Sequence, residues 1–136
     1  MEISFLNLDI IIYSQEDLTP LHDELTDQVL ILHNDLIEEE NSKSYLLTFE
    51  ADLDTNDIDD PINTLTLHLC ELINNLSPES RRLWQQCDRK IFDYGYESGL
   101  QPLTFSAELS SQAIAQIASL EASIATTIYP YQAETI

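Results

Sequence analysis

The sequence predicts an α+β fold, and three observations predict it. Stretches in which apolar residues alternate, such as Leu6, Leu8, Ile10 and Ile12, are interleaved with stretches at helical spacing, such as Leu65, Leu69, Leu72, Ile73 and Leu76. Helix-start signals fall at the head of the helical stretches: Asp17 or Thr19 with Pro20, Asp60-Pro61, Ser77-Pro78 and Ser110 or Ser111. Finally, 136 residues that are 43% hydrophobic can bury a core with no disulfide or metal staple.

Each element follows from its own pattern. Residues 3–13 alternate, with Asn7 and Asp9 opposite the apolar face, and read as a long first strand. A short helix follows, striped by Leu18, Leu21 and Leu25, with Glu16, Asp17, Asp23 and Glu24 at the dipole end that favours acids. Val29 to His33 predicts a strand, Asn34 to Ser42 a polar connection, and the KSYLLTFEADL stretch a second strand, together an antiparallel hairpin. The DTNDIDDP stretch reads as a loop, and residues 61–89 as two short helices or one helix kinked at Pro78. The KIFDYGYESG and LTFSAEL stretches predict two further strands, residues from Ser110 or Ser111 to Leu120 a third main helix, and ASIATTIYP a last strand that ends at Pro130.

The expected order is β-α-β-β-α-β-β-α-β. Its first six elements match the ferredoxin-like βαββαβ pattern, and the last three add a βαβ unit. The expectation is therefore a mainly antiparallel sheet with helices on one face. No composition break divides residues 1–136, so they are read as one domain whose last residues, 131–136, form a frayed tail.

Charge separates the two ends of the chain. The formal net charge is -20, and residues 1–80 hold 19 acids against one base, Lys43. Residues 81–136 hold six acids and four bases: Arg81, Arg82, Arg89 and Lys90. Such a field repels phosphates and anionic lipid, so neither direct nucleic-acid binding nor a membrane surface is expected. A basic protein is the sign-compatible partner, with Glu38, Glu39, Glu40, Asp57 and Asp59 as candidate contacts. Acidity that only keeps the protein soluble is the plainer reading. The opening MEISFLNLDIIIYS lacks a basic n-region and is too short to span a bilayer, which points to the cytoplasm.

Few residues suggest chemistry. Asp52, Asp54 and Asn56 match the first three ligand positions of an EF-hand loop, but Asp57 stands where the turn needs glycine and Asn63 where a bidentate glutamate is needed. They are at most a weak metal site, and no cofactor is expected. His22, His33 and His68 have no ligand spacing, and Cys70 and Cys87 read as reduced core residues. There is no nucleophile elbow, P-loop or dinucleotide fingerprint, and only two glycines. Asp93 stands out as an acid inside an apolar strand beside Gly95, with Arg89 close in sequence; a structural ion pair or hydrogen bond is its ordinary explanation.

The segments DLTPL, RRLWQQCDRKIFDYGYESG and FSAELSSQAIAQIASLEASIATTIYP carry a family likeness. Together they resemble an uncharacterised family of small bacterial proteins, a domain of unknown function, with the best match over residues 77–130. The features that carry the resemblance are Trp84, Phe92-Asp93-Tyr94-Gly95, the Ser110 to Leu120 helix and Tyr129. The resemblance implies a ferredoxin-like fold and no assigned reaction. By analogy, some small acidic bacterial proteins act as immunity partners of toxins.

The expected function is a non-enzymatic interaction module of immunity or inhibitor type. A small-molecule or metal-binding domain or minor enzyme, and a DNA mimic, stand as alternatives. Homodimerisation through an exposed edge strand stays open.

Overall fold

In the computed structural model, residues 3–100 and 104–131 are described. The chain runs β1 (Ser4–Ser14), α1 (Thr19–Leu25), β2 (Val29–Glu39), β3 (Ser42–Ala51), α2 (Pro61–Asn74), α3 (Pro78–Gln86), β4 (Arg89–Glu97), α4 (Ser111–Ser119) and β5 (Ser123–Tyr129). The fold is α+β, with one mixed five-stranded sheet in the order β2-β3-β1-β4-β5. The pairs β2/β3, β3/β1 and β1/β4 are antiparallel, and β4/β5 is parallel.

Proline and a polar cap start α2 and α3 as their sequences dictate. The Asp60 carboxylate accepts from the Asn63 amide at 3.3 Å, and the Ser77 hydroxyl from the Ser80 amide at 3.3 Å. Ser110 caps α4 through the Ala113 amide at 3.1 Å. That helix closes with Glu121 at φ 58°, while the Glu121 and Ala122 amides bond back to the carbonyls of Ala118 and Ile117. This is a Schellman stop with a glutamate where glycine is usual.

The helices cover one face of the sheet. Leu8, Ile10 and Ile12 of β1, Leu47 and Phe49 of β3, and Phe92 and Tyr94 of β4 form one buried cluster with the inward residues of the helices. Trp84 of α3 is buried there, and its indole N–H donates to the Leu120 carbonyl at 3.1 Å, fastening α3 to the end of α4. The Thr66 hydroxyl donates to the Ile62 carbonyl, so the Tyr94 hydroxyl 2.6 Å away donates to Thr66. Burial pushes the Tyr94 phenol up to about 12. Cys70 and Cys87 are buried and free, and burial raises their thiols to about 11 and about 12.

The sheet departs from the expected plan at three places. The polar run Asn34–Glu39 does not leave the sheet: β2 continues to Glu39 and turns at Glu40-Asn41, with Asn41 at φ 74°. Pairing with β3 satisfies the backbone groups that face inward, water takes those on the outer edge, and an edge strand tolerates polar side chains facing water. The LTFSAEL stretch forms no strand: Thr104–Ser110 have no regular structure, and Leu103 lies outside the described residues. Its start-to-finish alternation is overridden because β5, not this stretch, lies beside β4. Asn63 instead holds the segment, donating to the Glu108 carbonyl and accepting from the Ser110 amide. The added unit is thus α4 and β5 alone, with β4 shared. Third, Leu6 leaves the apolar row. A bulge between Phe5 and Asn7 puts Phe5 opposite Tyr96 on the core side and leaves Leu6 exposed.

The last residues, 132–136, lie outside the described residues; the Tyr131 amide donates to the Ser98 hydroxyl at 3.0 Å. Among the described residues, no helix is long and apolar enough to cross a membrane.

Candidate functional site

Because side chains alternate along a strand, the face opposite the helices is fixed by register. It carries Asn7, Asp9, Ile11 and Tyr13 from β1, with their partners on β3 and β4. No element of the described chain packs over its centre, where the residues are half-buried by one another.

At that centre three carboxylates form a row. Asp9 on β1 pairs directly with Glu50 on β3 and with Asp93 on β4. Residues opposed across adjacent strands bring their Cβ atoms to about 5 Å, so Asp9 has a carboxylate close on either side, with Glu50 and Asp93 two strands apart. One oxygen of Asp9, Oδ1, is sealed from solvent and has no hydrogen-bond partner. Burial above all, then a hydrogen bond and repulsion from Glu50, then repulsion from Asp93, push the Asp9 carboxyl up to about 6, while His33 pulls it the other way. In that setting Asp9 holds a proton more readily than an isolated carboxyl group does.

Asp93 is better served. Its Oδ1 accepts from the Thr127 hydroxyl on β5 at 2.8 Å. The predicted hydrogen-bonded role for this acid therefore has a partner, though not the nearby bases. Arg89, at the start of β4, lies over the Tyr13 ring with its guanidinium carbon 5.5 Å from the centroid. Gly95 belongs to the same face. A Cβ there would collide with the Asn7 Oδ1 and stand 3.2 Å from the Tyr129 ring, so glycine lets both cross the strand.

The other candidates are scattered. Glu38, Glu39 and Glu40 lie at the exposed β2–β3 turn, where Glu38 and Lys43 form an ion pair at 3.7 Å. Asp52, Asp54, Asn56, Asp57 and Asp59 are exposed along the loop before α2. There the Asp54 carboxylate accepts from the Asn56 amide at 3.0 Å, closing a local turn rather than facing a common centre. Among the described residues, no group of three or more His, Cys, Asp or Glu side chains is placed to hold a metal ion. Trp84 is core. A cleft of about 190 Å³ beside the row, bounded by Asn7, Glu50, Leu53 and Thr55, falls below the roughly 300 Å³ at which small-molecule sites begin.

Sequence reasoning reached Asp93 but passed over Asp9 and Glu50. The available signal was alternation, which put Asp9 on the face away from Leu8 and Ile10; it could not supply the pairing that sets Glu50 beside it. No protein-family model, curated protein or solved structure matches the chain.

Proposed function

We propose that the chain is a non-enzymatic interaction module that receives a basic protein partner on its open sheet face, in the manner of an immunity or inhibitor protein. The carboxylate row carries the reading. Asp9 is repelled by Glu50 on one side and Asp93 on the other, a strained arrangement that is relieved when a lysine or arginine lies across the three strands. The acid-rich first 80 residues extend the same field outward through β2, β3 and the loop before α2, which steers a cationic partner toward this side.

The finer fold belongs with this proposal. The order β2-β3-β1-β4, antiparallel throughout, supports a ferredoxin-like core to which α4 and β5 add a parallel extension. The resemblance to a small bacterial domain of unknown function, carried by Trp84, the Phe92–Gly95 stretch and Tyr129, is part of the same reading, as is the cytoplasm as its place of action.

The test is affinity capture from native lysate at low and moderate salt, with the native chain beside the Glu50→Gln/Asp93→Asn double variant. A basic protein retained at moderate salt by the native chain and lost by the variant is the expected result. Recovery of no specific protein at either salt, or equal capture by both chains, would sink the proposal.

A further inference from the structure

The two edges of the sheet are built differently. On one edge, β2 is interrupted by a bulge between Ile31 and His33 and carries His33, Asp35, Glu38 and Glu39. Bulges and charges are how natural sheets keep an edge from pairing with another chain. On the other edge, β5 reads SIATTIY, with no charge, proline or glycine. Its register with β4 runs unbroken from Ile91/Ser123 to Glu97/Tyr129. It is rich in β-branched residues, which favour pairing.

The helical layer also stops short of β5. Ile124, Thr126 and Ile128 lie on the same side as the buried Phe92, Tyr94 and Tyr96, yet Ile124 is 44% and Ile128 62% exposed. Charge then selects what can cover them. Residues 109–131 hold one charged side chain, Glu121, in a chain of net charge -20. Two copies of so acidic a protein repel wherever their acids meet, and this neutral strip is where like-charged copies can approach. A basic partner finds no carboxylate along the strand to pair with.

We infer that β5 is the joint between two copies of this chain, paired edge to edge and antiparallel about a two-fold axis through Thr126. The axis sets Ile124 opposite the Ile128 of the second copy, and Ile128 opposite its Ile124, so both exposed residues are covered on the helical side. The two five-stranded sheets become one continuous sheet. Such an interface is isologous, and main-chain hydrogen bonds carry it while the side chains choose the register. The inference is independent of the carboxylate row, which lies on the opposite face, and its salt dependence has the opposite sign. Salt screens the repulsion between copies and tightens the dimer, whereas it weakens docking of a basic partner.

Sedimentation velocity of the full chain over about a thousandfold range of concentration tests it, at low and high salt. A dimer that tightens with salt is expected. Ile124→Lys and Ile128→Lys, at exposed positions and checked for folding by far-UV circular dichroism, are expected to be monomeric. Leu36→Lys on the guarded β2 edge, also at an exposed position, is expected to stay dimeric. A monomer at every concentration, a folded Ile128→Lys that still dimerises, or a Leu36→Lys that does not, overturns the inference. A full chain that stays monomeric but dimerises once residues 132–136 are deleted would assign the strip to the chain's own terminus, and also overturns it.

Discussion

The two faces of β1 belong to the same eleven residues and obey opposite rules. On one, Leu8, Ile10 and Ile12 are almost completely buried, and the polar groups near them are matched: Thr66 with Tyr94, Trp84 with Leu120. On the other, Asp9 stands between two further carboxylates with one oxygen left unpartnered. The first face gains stability from nearly every side chain. The second sets Asp9 between like charges, where burial and repulsion raise its carboxyl to about 6. Local departures from the most stable choice concentrate where a protein meets something else, and this contrast is why the proposed docking of a basic partner is placed on the open face.

Substitutions on the two faces should therefore differ in sign. The largest effect is expected at Trp84. Removing the buried indole by Trp84→Ala leaves a cavity and an orphaned Leu120 carbonyl, and a loss of about 3–5 kcal/mol in denaturant unfolding follows. Thr66→Val keeps the shape but takes away the acceptor of the Tyr94 hydroxyl; a loss of about 1–3 kcal/mol is expected by the same measurement. A loss under half a kcal/mol there would mean that the buried face is less exacting than the contrast requires.

The open face should respond in the other direction. Asp9→Asn removes the central charge of the row, and at pH 7 it is expected to stabilise the protein by about 1 kcal/mol, water screening the rest. The pH dependence carries the sign. Asp9 is held at about 6 in the folded chain against 3.8 as its ordinary value, so the folded state binds the proton more tightly than the unfolded one. The stability this contributes is full below pH 3.8 and is lost as pH rises through about 6. Thermal melts of the native chain and Asp9→Asn should converge near pH 4 and separate above pH 6. Parallel curves across that window would remove Asp9 as the source of the contrast.

Much of the buried face was legible from residues alone. Pro61 after Asp60, Pro78 after Ser77, and Ser110 before Gln112 and Ala113 mark helix starts by local chemistry, and local chemistry can be read along the chain. Pairing is a long-range property and was not legible. Asn34–Glu39 reads as a loop by composition but finds β3 as a partner. The LTFSAEL stretch alternates like a strand, but its described residues, 104–109, find no partner. The row failed to emerge for the same reason. Asp9, Glu50 and Asp93 are 41 and 43 positions apart in sequence, and only the register of three strands makes them neighbours.

Trp84 has one more consequence. It is the chain's only tryptophan, and its indole is buried and bonded to the last turn of α4. Its fluorescence is therefore an intrinsic gauge of one joint, that between α3 and the end of α4. Emission that reddens before the far-UV signal of the sheet changes would report α4 lifting away while the strands remain paired, a sub-global opening resolved without any attached dye.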